Sequence, residues 1–340
     1  MPRRPYKPYR IVTGMKILVI KTSSLGDVIH MLPTVTDAAQ AMPQLRIDWL
    51  VEESFAAIPA WHPAVDRVIP IAMRRWKKQW SARSTWQEIG AARTRLRQLS
   101  YDLVIDSQGL VKSALWCRVA RGPRVGYDSG SAREPLASWF YDRKCTVSRE
   151  QHAIDRNRQL MAQALGYPLT NPAPDYGLQG LTGRLPAPGI ALPPRSVIGL
   201  HGTSRADKLW PTDHWMALAK ALAKEQRHLI LPWGNDEERQ RAEAIAGHAD
   251  NVMVLPRLGL DALASLIDQS QAVVGVDTGL LHLAAALGKP GLALYTATPP
   301  ALTGAVSDRH AATPLRNLSG PLELQASAVI DALMTTLQNG

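Results

Sequence analysis

The chain alternates short, unbroken apolar runs with stretches of helical periodicity. The first run, Ile17-Leu18-Val19-Ile20, suits a strand buried on both faces, and Thr22, Ser23, Ser24 and Gly26 end it. Val28, Ile29, Met31, Leu32 and Val35 then recur at the spacing of one helix face. Asp27 stands where a side-chain oxygen satisfies the free N–H groups of a helix start, which predicts an N-cap on a strand-to-helix turn. Further strands are expected over 47–51, 68–71 and 103–105, with helices near 86–99, 109–119 and 153–165. Residues 171–194 are rich in Pro and Gly and lack periodicity, as a linker does.

The pattern restarts at Val197-Ile198-Gly199-Leu200. Strands over 229–231, 252–255, 272–276 and 292–295 alternate with helices over 215–223, 237–246, 260–267 and 280–287, and a helix over 324–337 closes the chain. Strands alternating with helices build parallel sheets, so the expected class is α/β, with two doubly wound folds in tandem. The division is a basic, aperiodic and disordered extension over 1–14, an N-terminal domain over 15–180, a linker over 181–194 and a second domain over 195–322. The last segment, 323–340, is a helix with an apolar face to bury, against the N-terminal domain or elsewhere.

Length agrees with two cores, since 340 residues exceed what one ordinary core holds. No apolar run is long enough to span a bilayer, and the first 13 residues lack the apolar segment of a secretory signal. Cys117 and Cys145 have neither metal-site spacing nor a disulfide framework, as expected of ordinary thiols in a reducing cytoplasm. The net charge of +10 changes the picture once it is divided. Residues 1–180 hold 26 Lys and Arg against 15 Asp and Glu, whereas the remainder holds 13 against 14. A one-sided positive field points to an anionic partner for the N-terminal half: nucleic acid, an acidic membrane surface or a phosphorylated substrate.

Four segments besides the Asp27 turn have the composition for chemistry. Thr203 and Ser204 follow a strand and are trailed by Arg205 and Lys208, a set suited to a diphosphate, although a solvated turn reads the same way and the P-loop spacing is absent. Asp277, Thr278, Gly279 and Leu280 open an apolar helix whose first N–H groups suit a phosphate. In that segment Asp277 equally suits a cap, and His282 equally suits an interior histidine. Glu238, in the acidic run after Leu231-Pro232-Trp233-Gly234, suits a ribose or simply a helix start. Arg74, Arg75 and Lys78, interleaved with Trp76 and Trp80, suit an anionic amphiphile or a solvated basic loop.

Taken together, these segments resemble the ADP-heptose:lipopolysaccharide heptosyltransferase family, and its type I members most. The resemblance rests on KTSSLGDVIHMLP from Lys21, RRWKK from Arg74, YDLVIDSQGLVKS from Tyr101 and AREPLAS from Ala132. It continues in HGTSRADKLWP from His201, LPWG from Leu231 and VDTGLLHLAAALGKP from Val276. The stretch after Tyr295 and the apolar Leu209 depart from the family pattern.

The resemblance implies a GT-B fold, two Rossmann-like domains facing a central cleft, and an inverting transfer that needs no cofactor and no metal. No Asp-x-Asp motif occurs in the chain. It implies Asp27 and Lys208 as catalytic residues, with Thr203, Ser204, Lys208, Glu238, Asp277, Thr278, Gly279, Leu280 and His282 on the ADP-heptose donor. Ser24, Gly26, Arg74, Arg75, Lys78 and Arg133 would meet the acceptor, Kdo-modified lipid A, with Trp76 and Trp80 facing lipid. The implied location is the cytoplasm, peripheral to the inner membrane. Two rivals stand beside it: a same-fold transferase for another core sugar or position, type II-like, and a non-catalytic protein binding anionic lipid. Nucleic acid is disfavoured by the lack of a reading motif and by the neutral second half, and no protein partner is implied.

Overall fold

The computed structural model describes residues 14–339, so the basic extension expected over 1–14 lies, Gly14 apart, outside the described residues. The chain forms two compact units that divide between Pro172 and Ala173.

In the first unit six parallel strands carry the expected alternation: β1 (Lys16–Ile20), β2 (Arg46–Glu52), β3 (Val65–Ile71), β4 (Leu103–Asp106), β5 (Arg124–Tyr127) and β6 (Arg143–Cys145). Their order is β3-β2-β1-β4-β5-β6. Ile17 to Ile20 are fully buried, which stabilises by roughly 1.5–3 kcal/mol per side chain. The helices are α1 (Leu25–Ile29), α2 (Leu32–Ala41), α3 (Ala57–Trp61), α4 (Met73–Lys78), α5 (Arg83–Arg97), α6 (Val111–Val119) and α7 (Ala153–Leu165). The single helix expected after Asp27 is two, because Pro33 has no N–H to offer the carbonyl four residues before it. Strands β5 and β6 had no apolar run to betray them.

The second unit repeats the plan with β7 (Ser196–Leu200), β8 (His228–Leu231), β9 (Val252–Val254), β10 (Ala272–Val276), β11 (Gly291–Tyr295) and β12 (Arg316–Ser319). Its order is β12-β11-β10-β7-β8-β9. The helices are α8 (Thr212–Lys224), α9 (Asp236–Ala246), α10 (Leu260–Gln269), α11 (Gly279–Ala286) and α12 (Ala326–Asn339). Val329 and Leu333 of α12 join the core around Trp210, Trp215 and Leu218, so this helix buries its apolar face within its own unit.

The segment read as the end of the first domain and the start of the linker is fastened to the second unit instead. Tyr176 is buried; its N–H donates to Asp308 Oδ2 at 2.8 Å and its hydroxyl to the Val306 carbonyl at 2.8 Å. Asp175 pairs with Arg309 at 2.9 Å, and Thr182 donates to Asp268 at 2.7 Å. Such anchors join positions far apart in sequence, so a rule that reads Pro and Gly content misses them.

In both units the strand order reverses at one place, between β1 and β4 in the first and between β7 and β10 in the second. Ligands of open α/β sheets bind outside the carboxyl ends of the strands at such switch points. The register pairs Ile20 with Asp106 and Leu200 with Gly275, which sets the two loops at each switch side by side.

Candidate active site

Asp27 lies on the first loop of the first unit's switch, but as the third residue of α1 rather than its N-cap, which is Ser24. Asp27 Oδ2 accepts from the Ser24 N–H at 2.8 Å and from the Ser24 hydroxyl at 3.0 Å. This is the reciprocal part of a capping box, which ties the carboxylate to the turn through one oxygen. Oδ1 accepts nothing among the described residues, and the side chain is half-buried. Gly26 is buried behind it, and Ser24 is exposed.

The second loop of this switch clamps the first. Gln108 Oε1 accepts from the Thr22 N–H at 3.0 Å and the Ser23 N–H at 3.3 Å. Asp106 Oδ1 in turn accepts from the Gln108 and Gly109 N–H groups at 2.9 and 3.3 Å, and Tyr141 donates to Oδ2 at 2.8 Å. Gly109 adopts φ +65°, in the left-handed region that favours glycine, and a Cβ there would press against Tyr127 and the Arg133 backbone at 3.2 and 3.3 Å.

Beneath the turn, Lys21 donates to the Ser107 carbonyl at 3.0 Å and to Asn157 Oδ1 at 3.3 Å. Burial pushes its ammonium below the ordinary lysine pKa, and Asp27 and Asp106 oppose that shift. Burial likewise pushes the Asp106 carboxyl up, against hydrogen bonds from Ser113, Tyr141, Gln108 and Gly109. Lys21, Asp106, Gln108 and Asn157 were not singled out from the sequence. For Lys21, Asp106 and Gln108 the only signal available was their place at strand ends within matching segments, and Asn157, inside α7, carried none.

The basic segment folds as α4. Arg74 is exposed over the Phe55 ring at 4.8 Å, and its N–H donates to Glu52 at 3.1 Å. Arg75 is taken up by two carboxylates, Glu53 at 3.0 Å and Glu88 at 2.9 Å, so its charge is matched within the unit. Trp76 does not face outward. It is buried in the core, stacks on Trp116 and donates to Glu88 at 2.8 Å, because the helical spacing turns it opposite Lys77 and Lys78. Trp80, by contrast, is 69% exposed. Lys78 and Arg133 are exposed, and the Arg133 charge is felt at Lys21.

At the second unit's switch point, Lys208 Nζ lies 2.6 Å from Asp277 Oδ2, and the Thr298 hydroxyl donates to the same oxygen at 2.7 Å. His282 Nε2 stands 3.9 Å from Asp277 Oδ1. Burial would push the Asp277 carboxyl up, but His282, Lys208 and Thr298 overcome it and hold the group well below the usual carboxylate range. Asp277 is therefore not a cap. The N-cap of α11 is Thr278, and Gly279 and Leu280 open the helix beside it, all three half-buried.

Thr203 donates to the Asp277 carbonyl at 3.1 Å, which brings the two segments together, whereas Ser204 is exposed. Arg205 pairs with Asp207, and the Thr296 hydroxyl donates to the Asp207 carbonyl at 2.9 Å. Glu238 Oε2 accepts from the Gly234 N–H at 2.7 Å. Its carboxyl packs on Gly202, where a Cβ would come within 2.4 Å of it, so only glycine permits this approach. Glu238 thus lies at the ends of β7 and β8 rather than in the Asp277 cluster.

Thr298 was missed in the sequence, being 21 residues from Asp277 on a loop of atypical composition. Among the described residues no three His, Cys, Asp or Glu side chains gather as a metal-binding set. No described helix is long and apolar enough to cross a membrane.

Residues 89–324 match the family described as glycosyltransferase family 9 (heptosyltransferase). Lipopolysaccharide heptosyltransferase 1 of Pseudomonas aeruginosa is 49% identical over 295 residues, 86% of this chain and 81% of that protein. Lipopolysaccharide heptosyltransferase 1 of Escherichia coli is 44% identical over 323 residues, 94% of this chain and 99% of that protein. The structure of the Escherichia coli heptosyltransferase WaaC with ADP-2-deoxy-2-fluoro heptose superposes with a TM-score of 0.83 at 42% identity, covering 94% of this chain and 98% of that one. With two parallel sheets of one topology and candidate residues at both switch points, the chain belongs to glycosyltransferase family 9, the heptosyltransferases.

Proposed function

We propose that this glycosyltransferase moves L-glycero-D-manno-heptose from ADP-heptose to the Kdo residue of Kdo-modified lipid A. The observation that carries the reading is that Asp27 in the first unit and the Lys208–Asp277 pair in the second each stand at their unit's switch point, on a chain whose relatives are named heptosyltransferase 1. The transfer is a single displacement. Asp27 Oδ1 takes the proton of the acceptor hydroxyl, whose oxygen forms the new bond to the anomeric carbon. The bond from that carbon to the phosphate oxygen breaks on the opposite side, the electron pair leaves with ADP, and the configuration inverts.

On the donor, Lys208 and the N–H groups at Thr278 to Leu280 stabilise the charge that develops on the leaving diphosphate. Thr203 and Ser204 add hydroxyl donors, and Glu238 takes the ribose. Asp277 and His282 act by holding Lys208 in place. The acceptor's carboxylates and phosphates meet Ser24, Gly26, Arg74, Lys78 and Arg133. Arg75, already matched by Glu53 and Glu88, acts there by shaping α4. No step requires a metal or other cofactor, and the enzyme works as a peripheral protein on the cytoplasmic side of the inner membrane.

The test is product analysis by mass spectrometry after mixing the protein with ADP-heptose and Kdo-modified lipid A. The expected product is the acceptor carrying one heptose, with stoichiometric ADP. Transfer only to an acceptor that already bears heptose would assign a type II position instead. Transfer from a UDP-sugar but not from ADP-heptose would overturn the donor.

A further inference from the structure

Helix α5 carries a stripe that neither the core nor the candidate site uses. Arg83, Trp86, Gly90, Arg93 and Arg97 recur at intervals of three and four and lie on one face, while Thr85, Ala92 and Leu96 bury the adjoining one. The only acid of the helix, Glu88, is turned the other way, onto Arg75 and Trp76. Beside the stripe runs the exposed edge of α6, with Lys112, Leu115 and Arg118.

Between the two helices lies a cavity of about 300 Å³, lined by Arg93, Arg97, Leu115, Trp116, Arg118 and Val119. Three of its lining residues are arginines and the other three are apolar. Arg83, Arg93, Arg97, Lys112 and Arg118 make no ion pair with any described carboxylate. Asp142, whose carboxyl feels Arg118, is already held by Arg124.

The apolar groups are exposed as well: Trp86 by 61% and Leu115 by 52%, with Trp80 at 69% joined to Trp86 by a hydrogen bond from the indole N–H to its carbonyl at 2.9 Å. Isolated exposed apolar residues are ordinary. Here they stand among unpaired cations, the arrangement that seats Trp and Leu at the headgroup boundary while Arg meets anionic headgroups.

We propose that the α5–α6 face is the surface on which this protein docks to an anionic bilayer, with Trp86 and Leu115 entering the interface and Arg93, Arg97 and Arg118 on the headgroups. A bilayer fits better than a nucleic acid strand, because the uncharged lining of the cavity, Leu115, Trp116 and Val119, is aliphatic and indole rather than polar. The proposal deepens the peripheral association proposed above and is independent of the transfer chemistry.

Co-sedimentation of the full chain with vesicles tests it. Phosphatidylglycerol–phosphatidylethanolamine vesicles should bind the protein, and phosphatidylcholine vesicles should bind it far less. Each cation near an anionic surface is worth about fivefold, so Arg93→Ser with Arg97→Ser should lower partitioning roughly 25-fold. Arg93→Lys with Arg97→Lys should retain it, since a bilayer reads charge. An unchanged melting temperature guards against misfolding, and Trp86→Ser with Leu115→Ser should also lower partitioning.

Unchanged partitioning of the serine double variant, equal binding to both vesicle types, loss in the lysine variant, or capture of an oligonucleotide but not of vesicles would each overturn the proposal. Turnover on a deacylated, water-soluble acceptor keeps the two readings apart. It should survive in the serine variant. Its absence from the unmodified protein would remove the transferase reading while leaving the vesicle result standing.

Discussion

Lys208 and Asp277 face each other across 2.6 Å, although 69 residues separate them in the chain. Thr298 and His282 surround the same carboxylate, and Thr203 is tied to the Asp277 backbone, so the loops after β7, β10 and β11 converge on one ion pair. A lysine held this way is aimed before any ligand arrives.

Asp277→Asn should therefore damage the enzyme through Lys208. Removing one partner of a half-buried pair costs roughly 1–3 kcal/mol, less than for a fully buried pair because solvent screens part of it. The KM for ADP-heptose should rise and kcat should fall, as in Lys208→Ala, and the double variant should be little worse than either single one. Additive losses in steady-state kinetics would show that the two residues act separately.

Asp27→Asn retains an oxygen that can accept from Ser24 and so should keep the turn, while removing the carboxylate proposed as the base. The expected result is a fall in kcat of about 10²–10⁴-fold with donor affinity within a few-fold of the original. Turnover that survives the change would leave Asp27 only its role in the capping box.

Gln108→Ala removes the acceptor shared by the Thr22 and Ser23 N–H groups. Leaving buried donors unpaired costs about 1–3 kcal/mol, and here the loss falls on the turn that carries Asp27. Amide hydrogen exchange at Thr22 and Ser23 should accelerate while the β7–β12 sheet remains protected. Unaltered exchange at those two amides would show that the loop after β4 does not hold the turn.

His201 predicts the pH dependence of stability. Burial pushes its imidazole down to about 4 from 6.5, aided by Arg241. The unfolded chain thus binds this proton more readily than the native one. The stabilisation, up to about 3 kcal/mol, is complete above pH 6.5 and is lost as pH falls toward 4. Asp277 acts in a separate, lower window, since its depressed carboxyl contributes above the ordinary carboxylate range and loses that contribution in stronger acid. His201→Gln should flatten melting temperature between pH 6.5 and 4, and an unchanged slope there would assign it to other groups.

Sequence alone determined the architecture, because what builds it is local. Ile17 to Ile20, Val197 to Leu200 and Ala272 to Val276 are apolar runs that only doubly covered strands can bury, and α7 begins and ends where its periodicity predicts. The same locality exposed Asp27, Lys208 and Asp277 as charged residues at strand ends. It missed β5, β6 and β12, whose three or four residues carry too little apolar pattern.

What each charge does was decided by tertiary structure. The parallel pairing of β7 with β10 brings Lys208 to Asp277, the pairing of β1 with β4 puts Gln108 under the Asp27 turn, and helical packing buries Trp76 and hands Arg75 to Glu53 and Glu88. Periodicity reports which face of an element is covered. Which partner meets a polar group depends on strand order and register, and these are set by contacts between residues tens of positions apart.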